Sequence, residues 1–544
     1  MDNKKISLVN DYDWDVNSKG IKRINDKNFS TVKKALDAKG PGFCLAKWNQ
    51  VTMHLGTGMT HSCHHPPTHK IPLEELKENP TALHNTKFKK EQRKAMLNGK
   101  RPKECEYCWR VEDEAVENNF SDRARKSLED WALPHIDVIK DMDGSEDVLP
   151  TYLEVSFSNV CNLKCTYCGP ESSSMWYEDI KQKGPIKLLE GTDNETWSHG
   201  WQENLQVFKK REQNPYVDAF WEWWPDLHKS LKVFRITGGE PLLSKDTFKV
   251  LEWIIEHPNP ELELSINSNL SVPDKVWDRF IDLINRIKDT DNIKNITIYA
   301  SVEGWGKRAE YARTNLDFNK FTQRYEQLVS MSNMRAIIMA TYNIFSVTSF
   351  QKLLEWQLGL RQKYNKSGLP PIWETAASVG FNSKHNLHIE KNANWKFGNG
   401  DVLIGMDIPY LRDPKFLDAR SISHDLVLDY MLPTLDFMAD NQVESKYSSK
   451  SKGFSEHEID KLARIVYHRI YFNQNTRKDP TEPDWVNRKD LDISRAGFYE
   501  FVNTSDKRNN TDFLSTFPEM KEFYYECKES VVRLQTGIHG DTSG

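Results

Sequence analysis

Val160-Cys161-Asn162-Leu163-Lys164-Cys165-Thr166-Tyr167-Cys168-Gly169-Pro170 sets three thiols at a CxxxCxxC spacing. It follows an apolar-polar alternation from Leu153 to Phe157 that predicts a strand. A structural zinc or an ordinary cubane cluster takes four protein ligands. A tight loop with three thiolates therefore implies a metal centre with one coordination position left for another group. Three buried structural thiols, or a zinc site completed from elsewhere in the chain, are the alternatives.

Downstream, a strand at 233–236 runs into Thr237-Gly238-Gly239-Glu240-Pro241-Leu242. Two glycines after a strand let the backbone approach a ligand closely. Their carbonyls and the Glu240 carboxylate can accept from an ammonium group. Ser244 then caps a helix with Phe248, Leu251, Ile254 and Ile255 on one face. The unit repeats. A strand at 262–266 ends in Asn267-Ser268-Asn269, before a helix with Val276, Phe280, Leu283, Ile284 and Ile287 on one face. A strand at 296–300 ends in Ser301-Val302-Glu303-Gly304, with Arg308, Glu310, Tyr311 and Arg313 beyond. Further strands are expected at 336–341 and around 374–379. This alternation predicts parallel strands in an α/β partial (β/α)6 TIM-like barrel, with ligands at the carboxyl ends of the strands.

These residues resemble the radical S-adenosylmethionine (SAM) superfamily, whose signature is CxxxCx(aromatic)C, with Tyr167 at the aromatic place. The resemblance implies that Cys161, Cys165 and Cys168 ligate three irons of a [4Fe-4S] cluster and that the fourth iron chelates SAM. One electron, from a donor such as flavodoxin or ferredoxin, would then release a 5'-deoxyadenosyl radical that abstracts hydrogen from a substrate. It also implies that Gly238, Gly239 and Glu240 hold the SAM amino group and that Ser301 and Glu303 reach the ribose. Arg313 is the candidate for the SAM carboxylate, since guanidinium binds carboxylates in a bidentate fork. The family's third strand ends in a TNG-like turn that Ser268-Asn269-Leu270 matches in part. Asn269 is therefore both a SAM-binding candidate and an ordinary turn residue.

Upstream lie Cys44, Gly58, Cys63 and Cys105-Glu106-Tyr107-Cys108. Four soft thiolates, two of them in a CxxC knuckle, make a closed site suited to zinc or to a fully ligated iron-sulfur cluster. Spacing alone does not choose. The pattern resembles the twitch module, a shortened relative of the SPASM domain, and the resemblance implies a second, auxiliary [4Fe-4S] cluster on Cys44, Cys63, Cys105 and Cys108. The module here precedes the barrel instead of following it, as in some phage-encoded radical SAM proteins, and the interval from Cys63 to Cys105 is long. His61, His64, His65 and His69 flank Pro66 and Pro67 and are expected to hydrogen-bond locally.

The 544 residues divide, on this reading, into a polar tail (1–40), a cysteine module (41–130), a core barrel (148–384) and a helical C-terminal extension (385–544). A linker is expected near 131–150, a polar insertion at 184–214 and a surface helix at 87–97. The aromatic run Tyr216 to Trp224 reads as core or interface. Ser455 and Glu458 form a capping box for a late helix. Eight cysteines are too few for a disulfide framework, and Cys527 should simply pack. With no apolar leader and no membrane-spanning run, a cytoplasmic protein is expected. A net charge of -5 argues against a broad nucleic-acid footprint. The expected function is a radical SAM enzyme acting on a small-molecule or peptide substrate, such as a peptide, sugar or cofactor precursor. The alternatives are a nucleic-acid modifying radical SAM enzyme and a non-catalytic iron-sulfur protein with a structural zinc knuckle.

Overall fold

The computed structural model describes residues 26–114, 120–189, 208, 212–364, 378–381, 387–390, 402–411, 413–442, 452–472 and 488–536. Contacts divide the chain into two compact units. One is Met1–Val155 with Asn214–Phe234 and Thr375–Trp395; the other is Ser156–Gln213 with Arg235–Glu374 and Lys396–Gly544. The expected insertion at 184–214 lies largely outside the described residues, as does the tail before residue 26.

In the first unit, the end of the stretch expected as a polar tail is a helix, Asp26–Lys39. Phe29, Val32 and Leu36 recur on one face and are buried, a stripe that the intervening lysines and aspartates obscure in the sequence. They join a core with Phe43, Trp48, Met96, Trp109, Trp131, Leu133, Ile136 and Ile139. The last four fall in the expected linker, which packs as a short helix, Ile136–Lys140, instead of spanning solvent. Only its turn behaves as its composition predicts, with the Ser145 N–H donating to Asp143 Oδ1 at 2.7 Å.

An antiparallel sheet crosses this unit. Gln50–His54 pairs with Met59–His61, which pairs with His69–Lys70. Between the first two strands Gly58 has φ +68, and a Cβ there would lie 2.2 Å from Cζ of Tyr216. Left-handed backbone and ring contact both demand glycine. Tyr216 opens the helix Pro215–Ser230, whose Phe220, Trp223 and Trp224 are buried as core. The helix expected at the surface, Lys87–Leu97, is capped by Thr86, but its Lys89 and Arg93 are fully buried.

The second unit is built on parallel strands. Asn259–Ser268 pairs with Ile293–Ser301, that strand with Met334–Met339, and the last with Val402–Asp407. Intervening helices bury one stripe each. In Asp274–Lys288 it is Trp277, Phe280, Leu283, Ile284 and Ile287. In Lys245–Glu256 it is Phe248, Leu251 and Ile254, with Ser244 capping as expected. The mixed α/β unit with its parallel sheet fits a partial barrel.

The sixth strand differs from expectation. Residues 374–377 lie outside the described residues, and Ser378–Phe381 pairs antiparallel with Leu387–Glu390. The strand that extends the parallel run is Val402–Asp407, inside the stretch expected to be helical and turn-rich. Short apolar runs look alike in sequence, and only pairing distinguishes them. Val402–Asp407 ends the sheet order among the described residues, and two side chains bond its backbone. Gln357 Nε2 donates to the Gly405 carbonyl at 2.7 Å, and the Met406 N–H donates to Glu458 Oε1 at 2.8 Å. Glu458 lies in the first turn of Glu456–Phe472, where the Ser455 N–H and hydroxyl donate to its carboxylate at 2.8 and 3.0 Å. Buried Arg361 forks onto the same carboxylate at 2.6 and 3.1 Å. Glu458 of the late helix thus gives the backbone of this last strand a buried, charged acceptor. Cys527 is fully buried, as expected. No helix among the described residues is long and apolar enough to cross a membrane.

Candidate active site

The three-thiol loop follows the strand Tyr152–Ser156, and the glycine turn packs directly on it. The Gly239 N–H donates to Ser158 O at 3.2 Å and the Glu240 N–H to Val160 O at 2.8 Å. Gly238 has φ +123, and a Cβ on Gly239 would lie 2.4 Å from the Val160 carbonyl oxygen. The thiol loop's own backbone therefore demands both glycines. Further along, the Cys161 N–H donates to Ser174 Oγ at 3.1 Å and Trp176 Nε1 to Cys165 O at 2.7 Å. Lys164–Cys165 pairs antiparallel with Arg313–Thr314, setting Cys165 opposite Arg313.

Burial is the main cause that raises all three thiols, Cys165 to about 11 and Cys161 to about 12. For Cys161 and Cys168 a neighbouring thiolate adds to it. Thiols that resist ionisation alone ionise when a metal centre binds them.

Glu240 is buried, and its carboxylate is largely occupied. Oε1 accepts from the Ser268 hydroxyl at 2.8 Å and the Leu242 N–H at 3.1 Å, and Oε2 from the Asn269 N–H at 2.7 Å. Burial raises its pKa to about 7, against the pull of these donors. The side chain pins the next strand end and leaves Oε2 one lone pair for a ligand. Asn269 Nδ2 donates to Asn162 Oδ1 at 3.0 Å, tying that strand end to the thiol loop. Leu270, where the resembled turn has glycine, keeps a left-handed φ of 55.

Glu303, Arg313 and Tyr167 meet beside Cys165. Arg313 Nε donates to Glu303 Oε2 at 2.8 Å, Nη1 to Cys165 Sγ at 3.6 Å, and Nη2 to the Tyr167 hydroxyl. The fork expected for a SAM carboxylate is thus largely engaged within the protein. Glu303 Oε1 is buried and has no partner. A buried orphan carboxylate oxygen is what a ribose hydroxyl would satisfy, so the residues present fit SAM. Ser301 ends its strand at the same level. Sequence reasoning missed Arg235, Asn267 and Tyr299, further along the same strands. Arg235 Nε donates to Asn267 Oδ1 at 3.2 Å, and its guanidinium lies 4.9 Å from the Tyr299 ring centre. The signal was period-two alternation, which puts Tyr299 on the face of Ser301.

In the first unit, Cys44, Cys63, Cys105 and Cys108 ring one cavity, with Lys47, Ser62, His65, Arg123 and Lys126 also in its wall. Burial raises all four thiols, Cys63 to about 11 and Cys105 to about 12. Arg123 is anchored on Glu112 Oε2 at 2.8 Å and on Asp37 at 2.6 Å. Of the four histidines, His61 bonds within its own hairpin, while His65 and His69 reach partners 57 and 17 residues away in sequence. His65 Nε2 is 2.8 Å from Asp122, His69 Nε2 is 3.2 Å from Thr86 Oγ1, and His61 meets His54. Among the described residues no three His, Cys, Asp or Glu side chains are close enough to share one metal ion. A cubane makes no such demand, because each thiolate binds a different iron.

Residues 155–331 match the Radical SAM superfamily. Over 146 residues the chain is 31% identical to a GTP 3',8-cyclase of Psychromonas ingrahamii, covering 26% of this chain and 34% of that one. Over 150 residues it is 26% identical to a GTP 3',8-cyclase of Sulfurimonas denitrificans, covering 27% and 37%. The chain thus spans little more than a third of the length of these curated relatives. No solved structure matches it significantly. The three-thiol loop, the glycine turn and the Glu303–Arg313 pair all lie in the part of the chain that matches the Radical SAM superfamily.

Proposed function

We propose that the protein is a radical SAM enzyme in which Cys161, Cys165 and Cys168 hold a [4Fe-4S] cluster open to SAM. The observation that carries this is the buried Glu303 Oε1, without a partner, beside the Arg313 that also reaches Cys165. When bound, cluster and SAM supply one-electron cleavage of the sulfonium carbon-sulfur bond, giving methionine and a carbon radical that takes a hydrogen atom from substrate. The residues of this chain do the positioning. Glu303 and Ser301 would reach the ribose, the Gly238 and Gly239 carbonyls and Glu240 Oε2 the ammonium, and Arg313 holds the Glu303 carboxylate in place. Asn269 holds the strand end to the thiol loop.

The cysteine module, on this reading, carries a second, fully ligated [4Fe-4S] cluster that passes electrons to or from the substrate, with flavodoxin or ferredoxin as the external donor. Support comes from four thiols around one cavity that cationic Lys47, Arg123 and Lys126 also line, since positive charge favours thiolates. The relatives' name makes GTP the first small molecule to assay. The test is anaerobic reconstitution, reduction with dithionite, and chromatography for 5'-deoxyadenosine. Wild type should form it, and a wild type that forms none overturns the reading.

A further inference from the structure

Arg313 is expected to fork onto a SAM carboxylate, yet each of its three side-chain nitrogens bonds within the protein. Nε and Nη2 both reach Glu303 Oε2, Nη2 also reaches the Tyr167 hydroxyl, and Nη1 lies 3.6 Å from Cys165 Sγ. Backbone pairing fixes this last contact. Lys164–Cys165 runs antiparallel to Arg313–Thr314, and the Thr166 N–H donates to the Ala312 carbonyl at 2.8 Å. Arg313 is 4% exposed and Glu303 1%, so water screens neither charge.

The three thiols of the loop differ in this respect. Cys161 Sγ accepts from the neutral Leu163 N–H at 3.4 Å, and Cys168 Sγ lies 3.7 Å from the Gly169 carbonyl, itself an acceptor. Among the described residues a cationic donor reaches Cys165 alone of the three. Burial pushes the Cys165 thiol up, the Arg313 charge pulls it down, and the Glu303 charge opposes that pull less strongly. The pair is neutral overall, but at this sulfur its positive member outweighs its negative one.

The consequence is electrical. Reducing a cluster adds one electron to its irons and their thiolates, with no bond made or broken, and dithionite or a carrier protein supplies that electron. Hydrogen bonds to the sulfurs and nearby positive charge make the addition easier, and nearby negative charge makes it harder. A buried charge does this more strongly than one at the surface.

We infer that the Glu303–Arg313 pair sets the reduction potential of the cluster on Cys161, Cys165 and Cys168, with Arg313 raising it through Cys165 Sγ and Glu303 limiting the rise. This rests on the enzyme reading above and adds to it the control of electron entry.

The test is a potentiometric titration of the reconstituted full chain without SAM, read by electron paramagnetic resonance. Cys165→Ala supplies the background: the signal it lacks belongs to the three-thiol loop, and any signal it keeps is an internal reference. Glu303→Gln removes the opposing charge and should make reduction easier than in wild type. Arg313→Met combined with Glu303→Gln keeps the net charge of the site, removes the donor to sulfur, and should make reduction harder than in wild type. The two variants should differ by about tenfold or more in the reduction equilibrium, which is about 59 mV for one electron. Loss of packing alone would move both the same way. Should the double variant not fold, Arg313→Lys takes its place. There the cation stays beside Glu303, the contact to sulfur goes, and the potential should again fall below wild type. Shifts of one sign in both variants, or no shift in either, overturn the inference. A wild-type spectrum identical to that of Cys165→Ala overturns it together with the enzyme reading. If the potentials shift as expected but wild type makes no 5'-deoxyadenosine, the enzyme reading fails while the pair's hold on the cluster stands.

Discussion

Arg313 Nη2 lies 2.6 Å from Glu303 Oε2, the same oxygen that Nε reaches at 2.8 Å, while the other carboxylate oxygen has no partner. Both groups are buried, so removing one strands the other. Arg313→Ala should cost about 3–5 kcal/mol of stability, the scale for breaking a buried pair. The double variant Arg313→Ala with Glu303→Ala should recover a good part of that. Urea unfolding of the four proteins checks it; additive losses with no recovery would dissolve the pair as an energetic unit.

Cys165→Ala should abolish 5'-deoxyadenosine formation while leaving the fold intact. The backbone at this position is held by pairing with Arg313 and by the Trp176 indole, not by the sulfur. Two remaining thiolates cannot hold a cubane with an open iron. Circular dichroism and nucleoside chromatography of one preparation check both halves, and wild-type levels of product would remove Cys165 from the cluster.

Iron counting separates cluster from zinc at the cysteine module. In a variant with Cys161, Cys165 and Cys168 all replaced by Ala, about four irons per chain should remain after reconstitution, carried by Cys44, Cys63, Cys105 and Cys108. One zinc and no iron would make the module a structural knuckle and end its electron-transfer role.

Acid should loosen the edge of the sheet. Burial by itself would raise the Glu458 carboxyl, but the Arg361 guanidinium and the Ser455 and Met406 N–H groups hold it below the usual range. A carboxylate lowered in the folded state contributes stability above its unfolded pKa of about 4.3, and loses it as pH falls through the folded value. The urea midpoint should therefore drop as pH falls below about 5 and go on falling below pH 4. Glu458→Gln should be less stable throughout, with a flatter profile. An equally steep profile in the variant would assign the acid sensitivity elsewhere.

Gly58→Ala should destabilise the cysteine module. Left-handed backbone costs a non-glycine residue about 1 kcal/mol, and the Tyr216 ring leaves no room for a Cβ. Tyr216→Ala combined with Gly58→Ala should lose less than the two single losses together, because the clash disappears with the ring. Calorimetric melting of the set checks this.

The repeating strand-turn-helix units were legible because each announces itself locally, through a period-two run, a polar or glycine-bearing turn, and an apolar stripe such as Phe280, Leu283 and Ile287. Cysteine spacing located both thiol sets. What local pattern missed was pairing at a distance. Val402–Asp407 is recognisable only by its register with Met334–Met339, and Phe29, Val32 and Leu36 are too sparse among charges to advertise a helix. In the site, sequence named Glu303 and Arg313 but assigned each to a ligand, because nothing in their spacing says that they face each other.

The late return of Val402–Asp407 has a consequence during synthesis. Its partner Met334–Met339 emerges from the ribosome well before it, and Glu458, which bonds its backbone, comes later still. At roughly 5–20 residues per second of elongation, a nascent chain presents an unpaired apolar parallel edge for on the order of seconds before its own sequence can close it. Production of this protein should therefore respond to translation speed and to nascent-chain chaperones more sharply than its finished fold would indicate.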